Sequence, residues 1–370
     1  MKLIEYRIFM PLTVEENLIG QLWSFAEVSK LNTSGGEGVE IKTNELFEVS
    51  YDKNNKIIYE NLPNYDNESN SNGSSKSSIF KKSSSKDNMK KESRLEERSK
   101  SLDRPDAQHP QANSIHHSPS IPVNCSNSQN GTSNRVAKIE MNNETKTMKL
   151  ENGLLKYGQY THKIYKIASK LPWYVRKLLP KDSLDVHEKS WNMYPVVKTV
   201  LNNEFFKNNA HIELDTITRV CTNGQADENV HNLTPEQLEK REVVIIDITE
   251  PVSGSEYKAD EDPTLFKSKT GRGPLTRGDW IAKQTPLICC YKLVCVEFKV
   301  FGLQTRAENY IKGMYKQLFS TFHRQVFCWM DKWCDLSLEE VRKIEDDLQK
   351  LLVKKIEEGE ISNVRLIDAE

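Results

Sequence analysis

The chain has 370 residues, 37% of them hydrophobic and 28% charged, with a formal net charge of -1. That balance excludes a strongly basic nucleic-acid binder and a highly acidic disordered chain, and no apolar run approaches the roughly 20 residues that cross a bilayer. Charges at Lys2, Glu5 and Arg7 break any secretory signal core, and the seven cysteines contain no C-x-x-C pair. The expectation is a reduced, cytoplasmic protein whose thiols behave as small hydrophobes.

The first element is a strand, Leu3 to Met10, alternating Ile4, Tyr6 and Ile8 against Leu3, Glu5 and Arg7 and ending at Pro11. Thr13-Val-Glu-Glu16 is a capping box that opens a helix with Leu18, Leu22, Phe25 and Ala26 on its apolar side. Gln21 lies close to that side, and pattern alone leaves it either an exposed polar residue or a ligand contact. Gly35-Gly-Glu-Gly38 turns into a strand at Val39 to Lys42. From about Tyr51 to Leu155 serine, asparagine and lysine dominate, with runs such as Lys82-Ser-Ser-Ser-Lys. Such a stretch buries too little apolar surface to offset chain entropy, so residues 52–155 are expected to be a disordered insertion in a single domain spanning 1–370. The paired lysines Lys81-Lys82 and Lys90-Lys91 read first as part of a solvated linker, and otherwise as a nuclear signal or an acidic-lipid contact.

Gly158-Gln-Tyr-Thr-His-Lys-Ile-Tyr-Lys-Ile is a strand with Thr161, Lys163, Tyr165 and Ile167 on one face and Tyr160, His162, Ile164 and Lys166 on the other. His187-Glu-Lys-Ser-Trp-Asn-Met-Tyr-Pro leads into another, Val196-Val-Lys-Thr-Val-Leu. In His211 to Thr218, alternation sets Ile212, Leu214, Thr216 and Thr218 together, and Glu242 to Ile248 is a continuous apolar run expected to be well covered. Tyr291 to Lys299 places Lys292 beside Val294, Val296 and Phe298. A lysine on such a face must snorkel, pair with a carboxylate or meet an anion. Two long amphipathic helices close the chain, Leu303 to Trp333 and one that follows the capping box Ser337-Leu-Glu-Glu340. Glu345 borders the second helix's apolar stripe, facing inward or flanking it.

No catalytic constellation is present. G-x-S-x-G, H-E-x-x-H, the Rossmann glycines and the phosphate-loop frame are all missing, and the eight histidines are scattered. What remains is a sheet with polar groups on otherwise apolar faces. Lys163, Lys292, Thr161, Thr199 and Thr216 are donors suited to a phosphate or a polyol, and an apolar lining beside them suits acyl chains.

Gln159-Tyr-Thr-His-Lys-Ile-Tyr165, Glu188-Lys-Ser-Trp-Asn-Met-Tyr-Pro195, Lys267-Ser-Lys-Thr-Gly-Arg-Gly-Pro-Leu275 and Phe322-His-Arg-Gln-Val-Phe-Cys-Trp-Met-Asp-Lys-Trp333 belong together. With them the chain resembles the small, single-domain phosphatidylinositol transfer proteins over nearly everything outside the insertion. The resemblance implies an α+β fold of the START-like kind, a concave and mainly antiparallel β-sheet covered by long α-helices around an internal lipid cavity. It implies inositol contacts at Thr161, Lys163, Asn192 and Glu345, and phosphate contacts at Gln21, Thr199, Thr216 and Lys292. The cargo would be phosphatidylinositol or phosphatidylcholine, with no cofactor, no metal, no nucleic acid and no catalysis, in a monomer that touches membranes transiently.

Three departures stand out. Val196-Val197 replaces a reactive cysteine common after Tyr-Pro, and Val300-Phe301 stands where relatives often present two membrane-dipping tryptophans. The insertion is the third, and closing a longer loop adds only roughly 0.6 kcal/mol per doubling of length. Ser268, between Lys267 and Lys269, matches a serine that the family offers for phosphorylation, or is simply a loop serine. A second reading of the whole chain makes it a lipid-sensing interaction module that recruits partners through its serine-rich insertion.

Overall fold

In a computed structural model the described residues are 1–33, 38–53, 56–65, 138–141, 144–147, 150–151, 154–166, 185–206, 209–252, 254–299 and 304–358. They belong to one compact unit, Met1–Gly73 together with Arg135–Glu370. Its centre is an eight-stranded sheet built from β1 (Lys2–Met10), β2 (Gly38–Glu48), β3 (Tyr157–Lys166), β4 (Asp185–Met193), β5 (Val196–Asn202), β6 (Ala210–Val220), β7 (Arg241–Ile246) and β8 (Ile288–Phe298). The spatial order is β7-β1-β8-β6-β5-β4-β3-β2. Every pairing is antiparallel except β1 with β7. This is the mixed, mainly antiparallel architecture expected from the sequence.

Three long helices cover one face: α1 (Val14–Asn32), α2 (Gln304–Cys328) and α3 (Leu338–Glu358). The Thr13 box is formed, with the Thr13 hydroxyl accepting from the Glu16 N–H while Glu16 accepts from the Thr13 N–H. The Ser337 box repeats it ahead of α3. Tyr6 and Phe319 stack edge to face and Trp333 is fully buried, so β1, α2 and the short helix Met330–Trp333 share the main core. A Cβ on Gly20 would stand 2.9 Å from the Trp333 ring, so the glycine is what lets α1 approach that closely.

The single helix expected from Leu303 to Trp333 is two. α2 ends at Cys328, and Trp329 leaves helical geometry before a second short turn. The strand expected to be well covered is also different. β7 is an edge strand, and its outward side chains Val243 and Ile245 are 39% and 58% exposed. A run without alternation gives no sign of which side is open.

Composition changes at Tyr51, yet packing continues to Tyr65. Leu62 is 5% exposed and joins Val49, Tyr160, Trp191, Met193 and Val200 in a second core, with Tyr51, Ile57, Tyr59 and Tyr65 packed against it. The Trp191 indole donates to the Pro63 carbonyl at 2.8 Å. At the far end of the expected insertion, Lys138–Met141 pairs with Glu144–Thr147 and Leu150–Glu151 with Leu154–Leu155. Residues 66–137, and with them both lysine pairs, lie outside the described residues.

Beneath this second core the outer face of β5 and β6 buries charge. The Lys198 ammonium, 3% exposed as a side chain, lies 3.1 Å from Asp215 and 3.6 Å from Glu213. Burial acts to lower its pKa, but the two carboxylates reverse that and hold it above the ordinary lysine range. Replacing Lys198 by methionine leaves Asp215 without its cation and Glu213 with only His211 at 2.9 Å, and denaturant unfolding is expected to show a loss of about 3–5 kcal/mol. A loss under about 1 kcal/mol would mean that the two acids hold each other without it.

Candidate functional site

Pairing register decides which side chains meet. One row runs straight across the sheet through Leu46, Gln159, Asn192, Val197, Thr216, Lys292 and Tyr6. The next row on the same face contains Asn44, Thr161, Ser190, Thr199, Leu214 and Val294, and the one beyond contains Ile41, Lys163, Glu188 and Leu201. A register shift between Ile41 and Thr43 brings Ile41 onto this face. Thr161, Lys163, Asn192, Thr199, Thr216 and Lys292, read from five separate strands, therefore share one face, and it is the face the helices cover.

Each helix reaches it. From α1, the Phe25 ring lies 3.7 Å from the Lys163 ammonium. From α2, the Phe319 ring lies 5.2 Å from the Lys292 ammonium. From α3, Glu345 accepts from Gln159 Nε2 at 3.3 Å and from Arg342 Nη1 at 2.7 Å, which settles its orientation inward. Gln21, on α1, donates to Asn17 Oδ1 at 3.3 Å and points its amide at the buried Cys290 sulfur at 3.9 Å. All eight expected residues thus converge on the space between sheet and helices.

The two lysines differ in kind. Lys163 pairs with Glu188 at 3.3 Å, and Glu188 also accepts from Tyr165 at 3.0 Å. Lys292 is 8% exposed, and its only hydrogen bond among the described residues is a long one of 3.4 Å to Thr216 Oγ1. Among the described residues no carboxylate lies within ion-pair reach of it. Burial accordingly pushes its pKa down. An anion placed here removes that penalty, with Thr216 supplying a neutral donor next to it and Thr199 another in the following row of the same face. Thr199 already shares a 3.1 Å hydrogen bond with Ser190.

Sequence reading missed Gln159, Glu188, Ser190 and Asn17. Period two carried back from Asn192 would have found Ser190 and Glu188 on the same face. Gln159 needed its partner Glu345, far along the chain. The Ile167 expected beside Tyr165 lies outside the described residues, as do Val300 and Phe301. Ser268 is 4% exposed, with its hydroxyl on Asp331 and the Lys269 N–H on the same carboxylate at 3.0 Å. A phosphate there would meet Asp331 at contact distance, so modification requires the loop to leave it.

An open, polar cleft of about 540 Å³ lies elsewhere, around Glu16, Arg272, Thr285 and Asp335, and none of the eight residues lines it. Among the described residues no helix is long and apolar enough to span a membrane, and no group of three or more His, Cys, Asp and Glu side chains gathers as metal ligands.

The family model for phosphatidylinositol transfer protein matches residues 1–62 and 123–350. The beta isoform of phosphatidylinositol transfer protein from Bos taurus is 32% identical over 372 residues, covering 98% of each chain. Phosphatidylinositol transfer protein 1 of Dictyostelium discoideum is 32% identical over 357 residues, covering 96% of this chain and 95% of its own. Phosphatidylinositol transfer protein 4 of the same organism is 39% identical over 209 residues, 55% of this chain. The matched segments carry the whole eight-stranded sheet and most of the three helices, and the chain belongs to the phosphatidylinositol transfer protein family.

Proposed function

We propose that this chain is a carrier of a single phospholipid, phosphatidylinositol or phosphatidylcholine, which it exchanges between membranes in support of phosphoinositide signalling. The observation that carries the reading is Lys292, a buried ammonium without a carboxylate, set in the same row as Asn192 and on the same face as five other polar residues. A phosphodiester compensates that charge, and Gln21, Thr199 and Thr216 add donors to it. Lys163, Thr161, Asn192 and Glu345 offer both donors and acceptors to the hydroxyls of an inositol ring. A choline head has no hydroxyls and uses the phosphate contacts alone.

The carrier works without cofactor or catalysis, as a cytoplasmic monomer that touches the membrane transiently through Val300 and Phe301. It is one lipid-transfer domain across 1–370, interrupted within 52–155. The family-model match, which skips 63–122, supports placing the interruption after Tyr65 rather than at Tyr51. Full-length similarity to named transfer proteins favours a carrier over a recruiting module.

Three measurements test this. In vesicle assays Thr161→Ala and Lys163→Ala are expected to lower phosphatidylinositol transfer by about tenfold, the order of a lost charge-assisted hydrogen bond, and to leave phosphatidylcholine transfer near the parent rate. Equal losses for both lipids would reject the division between ring and phosphate contacts. Mass spectrometry of co-purifying lipid should find phosphatidylinositol or phosphatidylcholine on the parent and neither on Lys292→Met. The lipid-free Lys292→Met protein should melt no lower than the lipid-free parent, because the substitution removes an uncompensated buried charge. Deleting 68–135 should keep transfer of both lipids, since it spares Pro63 and Tyr65 and shortens a loop at small entropic gain. Loss of transfer from a deletion variant with unchanged melting would give the insertion a part in exchange.

A further inference from the structure

Asn17 and Gln21 stand one turn apart on α1, and Asn17 is fully buried. A buried amide in a helix interior is costly unless its donors and its acceptor all find partners. Those partners form a chain. Tyr194, at the end of β4, gives its phenolic proton to the Val14 carbonyl at 2.7 Å. Asn17 Nδ2 donates to the Tyr194 oxygen at 3.0 Å, and Gln21 Nε2 donates to Asn17 Oδ1 at 3.3 Å.

The direction of every link follows from the first. A backbone carbonyl only accepts, so Tyr194 must donate to Val14 and can only accept from Asn17. Asn17 must then turn its NH2 group to the tyrosine and its oxygen to Gln21. Gln21 must in turn present its own NH2 group, which leaves it a second N–H. Among the described residues that N–H has only the Cys290 sulfur, 3.9 Å away, as acceptor. Asn17 Nδ2 and Thr218 Oγ1 face the same sulfur, each at 3.8 Å. A thiol sulfur is a weak acceptor, so donors resting on it are readily yielded to a phosphate oxygen. Burial keeps the Tyr194 phenol far above the usual tyrosine range, so its proton stays in place.

We infer that Tyr194 and Asn17 are positioning residues of the phosphate subsite: from the Val14 carbonyl they fix the amide orientation of Gln21, so that it meets the cargo as a donor and never as an oxygen. This rests on the reading of Gln21 as a phosphate contact. Without the tyrosine hydroxyl both amides are free to flip, and a flipped Gln21 sets an oxygen against the phosphate.

A double-mutant cycle tests it, reading retention of fluorescent phosphatidylcholine and phosphatidylinositol by the full chain in the presence of acceptor vesicles. Tyr194→Phe is expected to weaken retention of both lipids about fivefold, the order of one hydrogen bond, and to add nothing further in a Gln21→Leu background. Asn17→Leu, close to asparagine in size, should behave the same way and covers the case in which Tyr194→Phe does not fold. Additive losses from Tyr194→Phe and Gln21→Leu would overturn the relay, because a purely structural tyrosine acts independently of Gln21. Unchanged retention by Gln21→Leu itself would remove the phosphate contact and the relay with it.

Discussion

The structure depends on an antiparallel register that runs from β1 through β8, β6, β5, β4 and β3 to β2, with one shift at Ile41/Thr43 in β2. Because side chains alternate with a period of two, this pairing lets residues from seven strands share a face without being near in sequence. A slip of one residue between β4 and β5 would send Thr199 to the outer face and bring Lys198 inward, exchanging a donor for a charge already committed to Asp215. The apolar residues of both faces resist such a slip. Trp191, Met193 and Val200 are held by the Leu62 and Tyr65 segment on one side. Leu214 packs against the helix-covered core on the other, with Val294 and Val296 inside it.

Much of this was legible because strand alternation is local. The faces assigned to Thr161, Lys163 and Tyr165, and to Leu214, Thr216 and Thr218, agree with the pairing, and so does Lys292 beside Val294 and Val296. What could not be read depends on distant surfaces. Tyr59, Leu62 and Tyr65 sit in a polar context that resembles the segment following them, and only the aromatic face of Tyr160 and Trp191 explains why they are ordered. Glu345 was ambiguous until Gln159 and Arg342 turned it inward. Val243 and Ile245 looked covered because an apolar run does not say whether its strand has one neighbour or two.

The candidate site is polar in a graded way. Toward α3, three of the four expected ring contacts already have a protein partner: Lys163 with Glu188, Glu345 with Gln159 and Arg342, and Asn192 accepting from the Tyr194 N–H at 3.2 Å. Toward α2 and the start of α1, Lys292 has a threonine hydroxyl at 3.4 Å, and Gln21, beyond its bond to Asn17, has a thiol. A ligand whose phosphate enters the second region gains most there, because little is given up. A headgroup entering the first region must exchange existing bonds for new ones, and such exchange rewards hydroxyls in matching places more than it rewards mere polarity. On the proposed reading, selectivity and affinity fall to different ends of one face.

The sheet buries two lysines, and the contrast between them argues for what the helix-covered face is for. Lys198 and Lys292 are nearly equally enclosed, on opposite faces of adjacent parts of the sheet. Lys198 has two carboxylates, and its charge is balanced within the fold. Lys292 has an aromatic ring, a hydroxyl and a thiol near it, and its charge is not. A stretch of sheet that sets Asp215 and Glu213 against one lysine shows that the architecture readily accommodates acids. Their absence around the other therefore points to a compensating group from outside the chain. A protein so arranged gains stability from an anion bound beside Lys292.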